Sequence, residues 1–331
     1  EINYIMNHRF LQLEETLTCL QNGSHLESHA LYPGIELFFL TLRGDTLSLC
    51  HEALDHVLEI SYCRQGRLGW EMGNGNHVYL GQGDYAIQTM KTCANSLLTL
   101  PNGYYEGLIL CVDLDIITAC PPHPLDESGI TGNLLYEKFC RENGAVSLAG
   151  NSKTDAVFSS FYGLPKELET AFWKLKVQEL LLQLSQLQCS SKEQLSQYQS
   201  RQVELIRTIH DQLISHLDQR ITIEDLARRY LMNPTTLKTL FKAVYGNSIA
   251  SHIKEHRMEA AASMLLQTDR SIAQIAHSVG YENQSKFATA FKEFYQVLPT
   301  EYRKFTGISQ QPPCHSCVLN KSHKKIHEKK P

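Results

Sequence analysis

Residues 222–246, TIEDLARRYLMNPTTLKTLFKAVYG, decide the fold of the C-terminal third of the chain. Thr222 can cap a short helix, and Asn233-Pro234 supplies a second cap followed by a proline that suits a first helical turn. Apolar residues recur at helical spacing on both sides of this cap, and Gly246 suits a helix end. The stretch therefore predicts a helix, a short turn and a second helix.

Residues 271–295, SIAQIAHSVGYENQSKFATAFKEFY, repeat this arrangement, with Ser271 as a cap and Gly280 at the turn. A long helix over about 249–266 is predicted between the two units. Short polar residues in the first turns of a helix can reach base edges, and nearby lysines can reach phosphates. The exposed polar set comprises Thr235, Thr236, Lys238, Thr239 and Lys242 in the first unit, and Asn283, Gln284, Ser285, Lys286, Thr289 and Lys292 in the second. The pattern alone also allows an all-α interaction domain with a polar surface.

The distribution of charge also separates the C-terminal part from the rest of the chain. The formal net charge of −4 combines an acidic segment, 1–199, with two basic segments, 200–306 and 307–331. A basic C-terminal part favours nucleic acid as a partner. No apolar run reaches the roughly 18 residues of a membrane span, and no signal peptide is visible. The 10 cysteines are scattered, which is typical of free thiols, so we expect a cytoplasmic protein.

Residues 201–305 resemble the DNA-binding domain of the AraC/XylS family. The resemblance rests on IEDLA (223–227), LKTLFK (237–242), RMEAA (257–261), SIAQIA (271–276), VGY (279–281), FATAFK (287–292) and PTEYR (299–303). It implies about seven helices, two helix-turn-helix units, binding to promoter DNA, usually activation, and RNA polymerase as a downstream partner. By the same resemblance, the exposed polar set reads bases, while Arg257 and Arg303 hold the domain together or touch phosphates. Gln296 departs from the family's usual glycine, and Leu298 stands near a position where a small hydroxyl residue is common.

The N-terminal half predicts an all-β unit, which makes the whole chain α+β. Short apolar runs alternate with turn signals at Ile35–Leu42, Val57–Cys63, Val78–Leu80, Ser96–Leu100 and Leu108–Val112. Members of the resembled family often carry a cupin-like barrel here that binds an effector. We expect such a barrel over 1–165, with Glu59, Gly66 and the Gly83-Asp84 turn echoing a cupin signature.

The interior of this barrel is the expected effector pocket. Tyr62, Arg64, Trp70 and Tyr85 are candidate contacts, although each also suits core packing. The effector is unknown, with a slight likeness to siderophore-responsive members of the family. His51 and His56 lack the His-x-His spacing of a metal-dependent cupin, so we expect no enzyme and no cofactor.

Three segments lie outside these domains. Residues 166–188 predict a helix with an apolar stripe that packs on the barrel or pairs two chains in a homodimer, and 189–200 read as a polar linker. The tail, 307–331, is basic and is predicted to be disordered. Its Cys-x2-Cys and His-x3-His spacings also suit zinc, with ligands Cys314, Cys317, His323 and His327.

The sequence favours a cytoplasmic regulator in which an effector bound to the barrel changes promoter occupancy. Two alternatives remain open. One is an architectural or constitutive DNA binder without an effector, and the other is a cupin enzyme tethered to DNA. The sequence indicates neither the operator nor whether the protein activates or represses.

Overall fold

The computed structural model describes the chain from residue 23 to residue 305 with short gaps. The described residues are 23–49, 53–72, 75–94, 96–141, 145–187 and 194–305. They divide into two compact units, whose boundary falls near residue 203. Sheets lie in the N-terminal unit and helices fill the C-terminal one, which gives the mixed α and β composition that was predicted.

The strands of the N-terminal unit form two antiparallel sheets. The six-stranded sheet has the order β1-β2-β9-β4-β7-β10, and the five-stranded sheet has the order β11-β6-β5-β8-β3. The strands are β1 (His25–Tyr32), β2 (Ile35–Arg43), β3 (Thr46–Leu49), β4 (Val57–Gly66), β5 (Leu68–Glu71), β6 (Asn76–Leu80), β7 (Tyr85–Thr89), β8 (Ser96–Thr99), β9 (Tyr104–Asp113), β10 (Ala145–Leu148) and β11 (Tyr198–Gln199). Strand pairing among the described residues divides into these two sheets and shows no closed barrel.

Alternation along the strands builds two cores. In β2, Ile35 and Leu37 belong to one core, whereas Phe38 and Leu40 belong to the other. Because successive side chains of a strand point to opposite faces, the six-stranded sheet is apolar on both sides. One face packs on the five-stranded sheet, and the other face is covered by helices.

Each apolar run singled out in the sequence lies in a strand, namely β2, β4, β6, β8 and β9. The apolar pattern did not predict β1, which carries His25, Glu27 and His29 and has few buried residues. Edge strands expose one side of their backbone to solvent, so they need less apolar alternation than central ones. The sequence pattern therefore detected mainly the central strands.

Helices cover the outer face of the six-stranded sheet. The N-terminal unit contains α1 (Met90–Cys93), α2 (Leu114–Ala119), α3 (Gly132–Phe139), α4 (Ser152–Ser159) and α5 (Glu169–Gln186). Helix α5 buries Trp173, Val177, Leu180 and Leu184 of the predicted stripe in the core of its own sheet. Its opposite side leaves Phe172, Leu175 and Leu182 exposed, and Leu168, the residue just before the helix, is exposed on the same side.

The C-terminal unit is helical throughout its described residues. Its helices are α6 (Ser200–Ser215), α7 (Ile223–Arg229), α8 (Pro234–Tyr245), α9 (Ile249–Gln267), α10 (Ile272–Ser278), α11 (Gln284–Tyr295) and α12 (Pro299–Tyr302). The long helix predicted over 249–266 is α9, and it lies between the pairs α7–α8 and α10–α11. No helix in the described part of the chain is long and apolar enough to cross a bilayer.

Candidate nucleic-acid interface

The first helix pair is held at both helix starts by side-chain caps. The Thr222 hydroxyl oxygen accepts a hydrogen bond from the Asp225 backbone N–H at 3.1 Å. The same hydroxyl donates to the Asp225 carboxylate, and this hydrogen bond lowers the pKa of Asp225. At the start of α8, Asn233 Oδ1 accepts from the Thr235 N–H at 2.8 Å. These contacts fix where both helices begin, because the first N–H groups of a helix have no partner within it.

The second pair starts with a reciprocal cap. Ser271 Oγ accepts from the Gln274 N–H at 3.2 Å, while Gln274 Oε1 accepts from the Ser271 N–H at 2.8 Å. Helix α11 then buries Phe287 and Phe291 in a core that also contains Val279 of the turn. The buried aromatic side fixes the rotation of α11, so its polar side faces solvent.

The predicted base-reading and phosphate-contacting side chains are all exposed. This holds for Thr235, Thr236, Lys238, Thr239 and Lys242 on α8, and for Asn283, Gln284, Ser285, Lys286, Thr289 and Lys292 at and along α11. Each set lies opposite the buried face of its own helix. Each unit therefore presents one polar helix surface that carries hydrogen-bonding groups and positive charge.

Asn283 has a role that the sequence interpretation did not give it. Its Oδ1 accepts from the backbone N–H groups of Ser285 at 2.7 Å and Lys286 at 3.3 Å, so it is the cap of α11. Bidentate pairing with adenine requires both the amide oxygen and the amide nitrogen. The oxygen is occupied here, which leaves Gln284 as the amide side chain of this turn that is suited to that contact.

The turns of the two pairs use the same backbone conformation with different residues. Gly280 has a φ of 79° and Leu231 has a φ of 51°, and each lies two positions after the last residue of the preceding helix. A left-handed residue at this point reverses the chain tightly between two packed helices. Glycine adopts it without strain, whereas leucine adopts it at a cost.

Two arginines hold the C-terminal unit together, as the resemblance implied. Arg257 of α9 donates from Nε to the Leu217 carbonyl at 2.8 Å and from Nη2 to the Gln219 carbonyl at 3.0 Å. Arg303 donates to the carbonyl of Arg270. Gln296, which replaces the family's usual glycine, adopts a φ of 62° at the end of α11. The turn before Pro299 therefore forms in spite of this departure.

Comparisons with known proteins match this same region. A family model described as a helix-turn-helix domain matches residues 226–304. The regulatory protein PocR of Salmonella typhimurium is 32% identical over 99 residues, which cover 30% of this chain and 33% of PocR. An AraC-like transcription regulator of Streptomyces lividans is 37% identical over 83 residues, which cover 25% of this chain and 27% of the regulator. The C-terminal region is an AraC-type helix-turn-helix domain.

Each of these relatives, and one solved structure, matches about a third of the chain or less. The solved C-terminal domain of AraT, a response regulator from Geobacillus stearothermophilus, is 34% identical, covers 32% of this chain and 88% of that chain, and has a TM-score of 0.30. The match spans between about a quarter and a third of the length of the curated relatives named above. These relatives are named as regulators rather than as enzymes.

Outside the AraC-type domain, the four candidate effector contacts do not meet in one pocket. Tyr62 and Tyr85 lie in the core beneath the helices, where Tyr62 stacks on Phe158 with ring centroids 4.5 Å apart. The Tyr62 hydroxyl donates to Asp155 Oδ1 at 2.7 Å. Trp70 lies in the other core, between the sheets. Three of the four side chains are therefore packed in two separate cores. The sequence alone could not distinguish such core packing from contact with a ligand.

Arg64 lines a cavity of about 430 Å³ between the six-stranded sheet and α5. Its guanidinium pairs with Glu106 and lies 4.1 Å from the centroid of the Tyr162 ring. Phe39 and Trp173 line the same cavity, with ring centroids 5.2 Å apart. Burial raises the pKa of Tyr162, so its hydroxyl stays protonated. The cavity therefore combines aromatic walls with a cation and a phenolic hydroxyl.

The sequence missed the contribution of Tyr162 and Trp173, which come from helices and loops after the sheet. Neither belongs to the strand pattern from which the candidate contacts were chosen. The predicted tail ligands Cys314, Cys317, His323 and His327 lie outside the described residues.

Proposed function

We propose that this protein is a sequence-specific DNA-binding transcription regulator whose AraC-type domain reads promoter DNA with two helices, α8 and α11. The observation that carries the proposal is the pairing of two capped helix-turn-helix units, each with an exposed polar surface. Two such units joined by one helix can enter the major groove at positions about one helical turn apart. Short polar side chains would then contact base edges, and lysines would contact phosphates.

Selection of bound sequences from random duplex DNA tests this proposal. The expected result is a motif of two boxes with centres about 10–10.5 base pairs apart for each protomer. Recovery of no motif, with binding that weakens equally on all sequences as salt rises, would contradict base reading and favour the architectural alternative.

A pair of substitutions on the full chain assigns the two kinds of contact. Gln284→Ala should cost about 1–3 kcal/mol on the selected site and relax the base preference at one position. Lys242→Ala should weaken binding equally on selected and random duplexes and reduce the salt dependence. Both side chains are exposed, so neither change removes core packing. Equal losses on both duplexes for Gln284→Ala would contradict its role in base reading.

We propose in addition that a small, partly aromatic molecule binds in the cavity beside Arg64 and changes promoter occupancy. Aromatic walls favour a planar group, while the guanidinium of Arg64 and the Tyr162 hydroxyl suit an acidic or phenolic substituent on it. An effector acts in this way only if it binds one arrangement of the protein more tightly than another.

Tryptophan fluorescence offers a direct test of this cavity, because Trp173 lines it while Trp70 lies in the core between the sheets. Small aromatic acids and phenols that bind should change the emission of the wild type and leave that of Trp173→Phe unchanged. Arg64→Ala should weaken the same response. A ligand that raises the thermal midpoint of all three proteins equally would bind elsewhere and would contradict the assignment.

The exposed apolar side of α5 favours homodimerisation through this helix. Leu168, Phe172, Leu175 and Leu182 are 36–62% exposed and follow the spacing of a two-helix seam. A second copy of α5 would offer the same stripe, as a twofold interface requires. Leu175→Glu, at the most exposed of these positions, should produce a monomer in sedimentation experiments, whereas Thr170→Glu, which adds the same charge at an exposed position of this helix outside the stripe, should not.

RNA polymerase is the proposed downstream partner, as the resemblance to the AraC/XylS family implies. In vitro transcription from a promoter that carries the selected motif would show whether the protein activates or represses. Unchanged transcript levels with the motif fully occupied would contradict a direct effect on polymerase.

A further inference from the structure

Three histidines meet inside the C-terminal unit, away from the exposed surfaces of α8 and α11. His210 lies on α6, and His252 and His256 lie on α9. One ring nitrogen from each lies within 4.8 Å of the other two. Residues four apart on a helix share a face, so α9 directs both of its imidazoles toward α6. His252 is buried, and the other two are partly exposed.

The spacing of these nitrogens suits a transition-metal ion. Nε2 of His252 and Nε2 of His256 are 3.1 Å apart. Two imidazole nitrogens bound to Zn²⁺ at 2.0–2.1 Å in tetrahedral geometry lie about 3.3 Å from each other. Small rotations of the side chains therefore suffice to place both nitrogens, and that of His210, at coordination distance from one ion.

Carboxylates lie beside the outer nitrogens of two of the rings. Nδ1 of His210 is 3.0 Å from Asp211 Oδ1, and Nδ1 of His256 is 3.5 Å from Glu259 Oε2. A carboxylate that accepts a hydrogen bond from Nδ1–H keeps the proton on Nδ1, leaves the lone pair on Nε2 and fixes the orientation of the ring. Metal-binding histidines in proteins use this second contact almost always.

Metal ions bind the neutral form of imidazole, and close packing of three histidines also occurs without a metal ion. Packing alone gives these rings edge contacts, with centroids of His252 and His256 4.6 Å apart. Direct measurement of bound metal separates a packed histidine core from a metal site.

We propose that His210, His252 and His256 bind one divalent transition-metal ion, Zn²⁺, with water as the fourth ligand. The ion would connect α6 to α9 at a point where His252 also contacts Phe241 of α8, with ring centroids 5.5 Å apart. It would therefore stabilise the helix-turn-helix unit that carries Thr235 and Lys238. The assignment does not depend on the sensor unit or on which bases are read.

The test measures zinc bound to the full-length protein in a background of Cys314→Ser and Cys317→Ser, which removes the thiol ligands of the tail. Metal-free protein is incubated with zinc chloride, desalted and analysed by mass spectrometry for metal content. His256→Gln and His210→Gln should each bind about one equivalent of zinc less than this background. His216→Gln, at an exposed histidine just beyond α6, should bind as much zinc as the background. Circular dichroism verifies that each variant is folded.

Cobalt gives an independent result. Co²⁺ at the proposed site should show visible d–d absorption without thiolate-to-metal charge transfer, and His256→Gln should abolish it. Zinc should also raise the thermal midpoint of the background protein and of His216→Gln, but not that of His256→Gln. If the background and His256→Gln bind the same amount of zinc, or if cobalt binds only through thiolates, the histidines are a packed core and the proposal is wrong.

Discussion

The turn of the second helix-turn-helix unit provides the sharpest test of how the DNA-reading helices are positioned. Gly280 has a φ of 79°, and a Cβ built on it would lie 2.6 Å from both the Leu217 carbonyl oxygen and Nη2 of Arg257. We therefore predict that Gly280→Ala destabilises the C-terminal unit. The matched change is Leu231→Gly at the corresponding turn of the first unit, which we predict to be stabilising.

The magnitudes follow from the geometry. A left-handed conformation costs an L-residue about 1–2 kcal/mol, and overpacking against a fixed carbonyl adds about 1–3 kcal/mol. Alanine recovers about 0.5–1 kcal/mol by restricting the unfolded chain. Gly280→Ala should therefore lose about 2–4 kcal/mol. Leu231 is 94% exposed, so its removal sacrifices no buried contact, and Leu231→Gly should gain about 0.5–1 kcal/mol.

The full-length chain carries its own internal control. Its 2 tryptophans, Trp70 and Trp173, both lie in the N-terminal unit, so fluorescence follows that unit while far-UV circular dichroism also reports the helices of the C-terminal unit. For a domain of this size, 1 kcal/mol shifts the midpoint by about 4–8 °C. We expect Gly280→Ala to lower the dichroism midpoint by about 8 °C or more and leave the fluorescence midpoint unchanged.

Two results would refute this reasoning. A Gly280→Ala midpoint within about 2 °C of the wild type would mean that the Leu217 carbonyl moves away at no cost. A loss of stability in Leu231→Gly would mean that the positive φ of the first turn stores no strain. Reduced affinity of folded Gly280→Ala for the selected DNA site would show in addition that the turn sets the position of α11.

A helix cap, the thiols and the core of the N-terminal unit can each be tested by one experiment. Thr222→Ala removes the cap of α7 and should cost about 1 kcal/mol in urea unfolding, with no change expected for Thr222→Ser. Cys120 is exposed, whereas burial raises the pKa of Cys63 and Cys140 to about 12. In mildly alkaline solution, iodoacetamide should therefore modify Cys120 before either of them. If mass spectrometry finds the reverse order, the burial of these two thiols is contradicted. Tyr62→Phe removes a hydrogen bond to Asp155 and should cost about 1 kcal/mol, yet leave ligand-induced Trp173 fluorescence unchanged, because Tyr62 does not line the cavity.

The DNA-reading part of the molecule could be predicted closely from the sequence. Thr222 and Ser271 cap the helices that they were expected to cap, and Gly280 takes the expected turn. Caps, turns and helical periodicity depend on residues a few positions apart, so a single sequence contains them. Asn283 shows the limit of this reasoning, because a residue suited to adenine can serve equally as a cap.

The cavity beside Arg64 could not be predicted in the same way. Tyr62, Trp70 and Tyr85 each combine an aromatic ring with a polar group, as many ligand contacts do, but packing places them in two cores. Tyr162 and Trp173 line the cavity with Arg64, although they lie about a hundred residues away along the chain. A cavity exists only where separate elements fail to fill the space between them, and no local sequence pattern predicts where this happens.

Local sequence patterns were enough to predict the two helix-turn-helix units, their exposed polar faces, several strands and the apolar stripe of α5, because each depends on local periodicity or on a cap. Tertiary structure alone decided that the strands form two sheets, that α5 covers one of them, and that His210 meets His252 and His256. These outcomes depend on how apolar faces distant in sequence bury one another, and burial is a property of the packed chain rather than of any segment.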